Sequence, residues 1–288
     1  MTVLGEAHLS ADGGPLRWAK RLRTLGLIAV AAMLAGLLVG AGTSPAQAAP
    51  PAIIRDSPTA NVTTIAEGSG VTYVAGGFTS VGAATGPGAL VDSTVGVVDR
   101  RFPFVDNGSI FAVAADGAGG FYLGGSFTSL NGVPRNRLAH VAADGTLDPM
   151  WKPTVAGSTP TEVYALAVSG STVYVGGSFT QVSGTTRNRA AAVDATTGTV
   201  LAWNPNIVVG AVYAMAVSGS TVYLGGNFPV VNGNVTRNRA AAVDATTGTV
   251  LAWNPNVGGS QVSALAVSES TVYLGGNFSG ATAINGNV

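Results

Sequence analysis

Twenty consecutive residues, Arg187–Asn206 (RNRAAAVDATTGTVLAWNPN), return unchanged at Arg237–Asn256. Other markers extend the repeat along the chain. A glycine pair recurs at Gly76-Gly77, Gly124-Gly125, Gly176-Gly177, Gly225-Gly226 and Gly275-Gly276, at intervals of 48, 52, 49 and 50 residues. A phenylalanine follows each pair: Phe78 directly, then Phe127, Phe179, Phe228 and Phe278 after one residue. Arg-Asn-Arg starts at Arg135, Arg187 and Arg237, and tryptophan recurs at Trp151, Trp203 and Trp253. A unit this short cannot bury its own apolar face, so copies must stack on one another.

Within a unit the pattern has period two. In the third copy, Val163–Val168 reads as a strand, and Ser169-Gly170-Ser171 breaks it. Thr172–Val175 reads as a second strand ended by Gly176-Gly177, and Arg189–Val193 as a third ended by Asp194–Gly198. Thr199–Trp203 reads as a fourth, ended by Asn204-Pro205-Asn206. Four short strands separated by turn residues describe an antiparallel all-β unit. No amphipathic helical stripe appears after the first 48 residues. Four strands in about 50 residues is the size of a β-propeller blade. Radial stacking covers both faces of such a sheet and leaves only short outer edges. Ala165, Ala167, Ala190, Ala191 and Ala192 suit a tapered interior. The competing architecture is a β-helix, whose coils are usually shorter.

The order Gly-Gly-x-Phe, Asn-Arg-x-Ala, Asp-x-x-Thr-Gly-x-x-x-x-Trp resembles the bacterial β-propeller repeats called delta-60 repeats, over roughly residues 62–288. Asp194–Gly198 followed by Trp203 also looks like the tryptophan-docking repeat of quinoprotein dehydrogenases, which implies a Trp packed between neighbouring blades. The first unit departs from the pattern: it lacks Asn-Arg-x-Ala, and Phe102 stands at the Trp position. The last unit stops at Val288 after its second strand. The reading is therefore about five blades with the last incomplete, in a chain that is a piece of a longer protein. Ile53-Ile54, within the linker 49–61, is a candidate closing strand.

Ahead of the repeats, Arg17, Lys20, Arg21 and Arg23 precede an apolar and glycine run from Leu25 to Gly42. Ala46-Gln47-Ala48 follows. Basic cluster, apolar helix and small-x-small site are the grammar of a secretory signal peptide, expected over 1–48 with cleavage after Ala48. The run is close in length to a membrane span, but four glycines and the cleavage site favour removal. The expectation is a secreted or cell-surface protein. Its 240 mature residues carry 10 Lys+Arg and 12 Asp+Glu, a net charge of −2. With so little positive charge, nucleic acid is excluded as a partner. The chain has no cysteine, so disulfides and thiolate metal sites are excluded.

The recurring polar residues read as structural. Arg187-Asn188-Arg189 and its copies cap carbonyls and turns. Asp144, Asp194 and Asp244 each initiate a turn and stand alone, unlike the clustered carboxylates of a calcium loop. The regular spacing of the tryptophans favours packing between units over exposed sugar platforms. His140, the only histidine after residue 48, sits in an apolar strand where the other copies have Ala, and reads as incidental. Glu67, Glu162 and Glu269 are scattered one per unit, so no glycosidase carboxylate pair is evident. A quinoprotein enzyme would need a complete ring and a calcium site. The expectation is a non-enzymatic scaffold or binding module without a cofactor, whose ligand is an extracellular protein or glycan. The competing function is a remnant of a quinoprotein-like or glycoside-acting enzyme. Binding would fall on the rim loops that differ most between units: Pro229–Val235, Gly82–Asp92 and Thr154–Glu162. The candidates are Thr154, Thr159, Glu162, Val230, Asn232 and Asn234.

Overall fold

The computed structural model describes residues 62–68, 71–77, 88–94, 98–99, 102–157 and 160–277. The signal segment, the linker 49–61, Thr159 and residues 278–288 lie outside them. All described residues belong to one compact unit of the chain, Pro45–Val288. They are all-β, with 22 strands.

The first repeat contributes β1 (Val62–Gly68), β2 (Val71–Gly76), β3 (Gly88–Asp92) and β4 (Val98–Asp99), a four-stranded sheet in that order. The second contributes β5 (Ile110–Ala115), β6 (Phe121–Gly125), the small hairpin β7 (Ser129–Leu130) and β8 (Val133–Pro134), and β9 (Leu138–Val141). After β10 (Val155–Ala156), the third contains β11 (Val163–Ser169), β12 (Thr172–Gly177), β13 (Gln181–Val182), β14 (Thr185–Thr186) and β15 (Ala190–Asp194). The fourth repeats this with β16 (Val212–Ser218), β17 (Thr221–Gly226), β18 (Val230–Val231), β19 (Val235–Thr236) and β20 (Ala240–Asp244). The fifth shows β21 (Gln261–Ser268) and β22 (Thr271–Asn277). The middle units share one sheet plan: β5-β6-β9, β11-β12-β15 and β16-β17-β20. Every ladder is antiparallel. Coils of a parallel β-helix are joined by parallel ladders, and none occurs among the described residues.

Two strand readings need correction. The expected fourth strand, Thr199–Trp203, is reduced to one bridge between Val193 and Val200. After Leu201 N–H donates to Ala192, the chain turns so that Trp203 can reach the next unit. The glycine pair does end the second strand, but as its last two paired residues and not as a turn after it. An added Cβ on Gly176 would meet Val212 Cγ1 at 2.7 Å and Met215 Sδ at 2.9 Å, both from the next unit. Gly124 faces Val163 and Leu166 in the same way, and Gly225 faces Val262 and Leu265. In the second, third and fourth units the second glycine of the pair lies against the carbonyl that precedes the first strand: Gly125 faces Ser109, Gly177 faces Glu162 and Gly226 faces Ala211, each at 2.0 Å from a built Cβ. The glycines are therefore a demand for close approach of sheet to sheet and strand to strand.

The apolar core lies between units. One cluster joins Tyr174, Ala190, Ala192 and Trp203 of the third unit to Met215, Leu224, Phe228 and Ala241 of the fourth. Another joins Tyr122, Leu138 and Trp151 of the second to Val163, Val175 and Ala191 of the third. The run Ala190-Ala191-Ala192 thus feeds two interfaces by strand alternation, which explains an all-apolar triplet of small residues. Polar staples tie the same interfaces. Trp151 Nε1–H donates to Asp194 O at 3.0 Å and Trp203 Nε1–H to Asp244 O at 2.9 Å. Tyr122 and Tyr174 hydroxyls donate to Ala195 O and Ala245 O, each at 2.7 Å. Trp151 and Trp203 are buried between units, as their spacing anticipates. Phe102 packs on Tyr73 with ring centroids 4.7 Å apart, as Trp151 packs on Tyr122 at 4.9 Å, so it does take the tryptophan position.

Candidate functional site

The repeated polar residues are occupied in holding the framework. The first arginine of each Arg-Asn-Arg clamps the small hairpin to the segment after the third strand. Arg187 donates to Thr186 O and Leu201 O, Arg237 to Thr236 O and Leu251 O, and Arg135 to Pro134 O and Asp148 O. The second arginine sits at positive φ, 66° at Arg137, 62° at Arg189 and 65° at Arg239. It holds the entry to the next unit through Thr161 O, Gly210 O and Ser260 O. Asp194 Oδ1 accepts from the N–H groups of Thr196 and Thr197 at 3.0 and 2.7 Å, an aspartate-initiated turn. These bonds hold its carboxyl below the ordinary value.

Function is better sought where equivalent positions differ. The first such place is the start of the first strands. There each unit has a bulge: the register slips between Ile110 and Ala112, Val163 and Ala165, Val212 and Ala214, and Val262 and Ala264. The residue set out by the bulge is Phe111, Tyr164, Tyr213 and Ser263 in turn. Successive first strands lie beside one another, so three of these residues form a row. Phe111 and Tyr164 have ring centroids 5.7 Å apart and planes at 37°; Tyr164 and Tyr213 are 5.2 Å apart at 54°. All three are half-buried.

The residue two places before each of these four bulge positions differs among units: Ser109, Glu162, Ala211 and Gln261. Only the middle one is charged. The Tyr164 hydroxyl donates to Glu162 Oε2. Glu162 N–H donates to Ser178 Oγ at 3.1 Å, and Ser178 Oγ–H donates to Pro160 O at 2.8 Å. Burial first, then the hydrogen bond to Glu162 and its charge, push the Tyr164 hydroxyl up to about 12. Tyr164 is a neutral donor at any physiological pH.

Of the other sequence candidates, Thr154 is exposed and its N–H and O meet Ser183 in the neighbouring hairpin. It shares a connection with Glu162. Asn232 spends its side chain on framework bonds: it donates to Pro205 O and Gly248 O and accepts from Val250 N–H. Val230 pairs with Thr236 in the hairpin, and Asn234 is exposed near its tip. The structure brings Glu162 into the aromatic row and uses Asn232 as a brace.

The second departure is at His140, which is not incidental. Its Nδ1 lies 3.0 Å from Asp148 Oδ2 and its Nε2 lies 3.0 Å from Asp116 Oδ2. The ring stacks on Tyr122 with centroids 4.5 Å apart. Register places Asp116, His140 and Asp148 where the third unit has Ser169, Ala192 and Leu201. Three coordinated changes thus place a hydrogen-bonded clamp where the third unit has Ser, Ala and Leu. Burial opposes ionisation of Asp116 and Asp148. Hydrogen bonds from His140 and from backbone N–H groups outweigh it, and both carboxyls titrate below their ordinary value. With each ring nitrogen facing a carboxylate, His140 is placed as a tether between the turn after β5, β9 and the following segment, not as a general base. Among the described residues, no group of three or more His, Asp or Glu could hold a metal ion.

Sequence reasoning missed the aromatic row and the clamp. Both leave a signal once the units are aligned by register: Phe, Tyr, Tyr, Ser at the bulge, and Asp, His, Asp appearing together in one copy.

No family model matches the chain, and no curated protein matches it. Among solved structures, the computationally designed Ika4 protein is 12% identical over 66% of this chain and 94% of its own, with a TM-score of 0.40. The designed Ika8 protein is 14% identical over 75% of this chain and 80% of its own, with a TM-score of 0.35. Likeness at this level carries no conclusion about architecture or function.

Proposed function

We propose that this chain is an exported, non-enzymatic binding module built from β-propeller blades of the delta-60 type. The blade reading is supported by first strands that run side by side, β1 by β5, β5 by β11, β11 by β16 and β16 by β21. It is also supported by cores that lie between sheets. In a propeller the first strands gather at the axis and the connections entering them open on one rim. Export rests on the signal grammar of residues 1–48.

One observation carries the binding role. The polar residues that recur from the second unit to the fourth are engaged in bracing hairpins, turns and unit junctions, whereas the bulge position runs Thr63, Phe111, Tyr164, Tyr213 and Ser263, and Glu162 stands in one copy alone. A fold requirement repeats, and a binding site breaks the symmetry. An extracellular glycan or protein is the ligand class.

Expression of residues 1–288 in a secreting bacterium tests both halves. The chain should accumulate in the medium with Ala49 as its first residue by N-terminal sequencing. It should also bind at least one member of a broad glycan and surface-protein panel, with binding lost in Tyr164→Ala. Retention in the cytoplasm contradicts export, and a blank panel contradicts the binding role.

A further inference from the structure

We infer that the aromatic row at the first-strand bulges is a site for an organic ammonium group, carried on a sugar. The inference rests on the binding-module reading above and names the chemistry of its ligand.

The row presents electron-rich surface throughout. Ring faces carry the negative side of the aromatic quadrupole, and a cation placed near them is stabilised by roughly 0.5–2 kcal/mol per favourable contact. Here the centroid separations of 5.7 and 5.2 Å put Tyr164 next to a second ring on either side, so a cation over Tyr164 has another aromatic as its neighbour. Glu162 adds a formal negative charge at the centre of the row, beside Tyr164. Its Oε2 accepts from the Tyr164 hydroxyl. Among the described residues the ion pairs are those of His140, so Glu162 is not neutralised by a salt bridge. Arg137 lies behind the same connection but directs its guanidinium at Thr161 O, Val155 O and Asn136 Oδ1.

An anionic sugar would meet like charge here. A neutral sugar would gain stacking but would leave the Glu162 charge unanswered. A protonated amino sugar satisfies both features: its ammonium sits over the rings and pairs with Glu162, while its hydroxyls face polar neighbours. Those neighbours are Ser109 on one side, and Gln261 and Ser263, joined at 2.8 Å, on the other. The arrangement is specific to this stretch, because the bulge position reverts to Ser263 in the fifth unit and is Thr63 in the first.

The test is calorimetric titration of the secreted chain with chitosan oligomers (glucosamine units) and with N-acetylated oligomers of equal length, which lack the charge on the same scaffold. Choline chloride serves as a cation without a sugar. The expected result is saturable binding of the glucosamine oligomers, at least tenfold weaker for the acetylated form. Glu162→Gln and Tyr213→Ala should each weaken it at least tenfold, with melting curves showing both variants folded. Weaker but measurable choline binding, lost in Glu162→Gln, supports the cation as the recognised element. Equal binding of the two oligomers overturns the inference and leaves the binding-module reading intact. So does glucosamine binding that is unchanged in Glu162→Gln, or no binding of any of the three while another panel member binds. Choline binding equal to or tighter than the glucosamine oligomers overturns the sugar assignment. A chain that binds nothing in either experiment removes both.

Discussion

The glycines and the His140 clamp each put a measurable demand on one side chain. Gly176→Ala places a methyl group 2.7 Å from Val212 and 2.9 Å from Met215 in the next unit. Overpacking of this kind costs about 1–3 kcal/mol, and urea denaturation should show it. Gly77→Ala, where nothing lies within 4 Å, should change stability by less than about 0.5 kcal/mol. The clamp gives a pH signature. Asp116 and Asp148 titrate below their ordinary 3.8 when folded. Their stabilisation is therefore complete above that value and is lost as pH falls through the lower folded values. In His140→Ala the two carboxylates lose their shared partner. Melting temperature at pH 7 should fall, and its further decline as pH drops below the ordinary carboxylate value should become shallower. A variant with wild-type acid behaviour would show that His140 does not hold the two carboxyls down.

At the scale of elements, the long strands were legible from the sequence and the short ones were not. Alternation and flanking turns place β11, β12 and β15 to within two residues, because each is long enough to show period two. The hairpin of β13 and β14 was missed: two-residue strands around Ser183-Gly184 carry no period, and their register comes from Arg187 reaching Leu201. Thr199–Trp203 looks like a strand because it is β-prone, yet Trp203 is committed to the next unit and ends the ladder early. The site was legible only in part. Glu162 stood in a variable connection, but nothing in one unit shows that bulges will align Phe111, Tyr164 and Tyr213. Removing the clamp should loosen the hairpin without unfolding the sheet. Arg187→Ala gives up two carbonyl bonds of about 1–3 kcal/mol together, and hydrogen exchange should speed up at the amides of Val182 and position 187 before it does in β12.

For the whole molecule, the apolar cores lie in interfaces between units, and the proposed blade arrangement has these interfaces turn successive sheets about a common axis. Such an arrangement is compact. A 240-residue compact domain has a radius of gyration of about 18 Å. Sheets packed about 10 Å apart in a straight stack would instead give an elongated particle with a distinctly larger value. Small-angle X-ray scattering of the secreted chain separates the two most directly. The account predicts a radius of gyration near the compact value with a flattened, disc-like profile. A rod-like profile would contradict it.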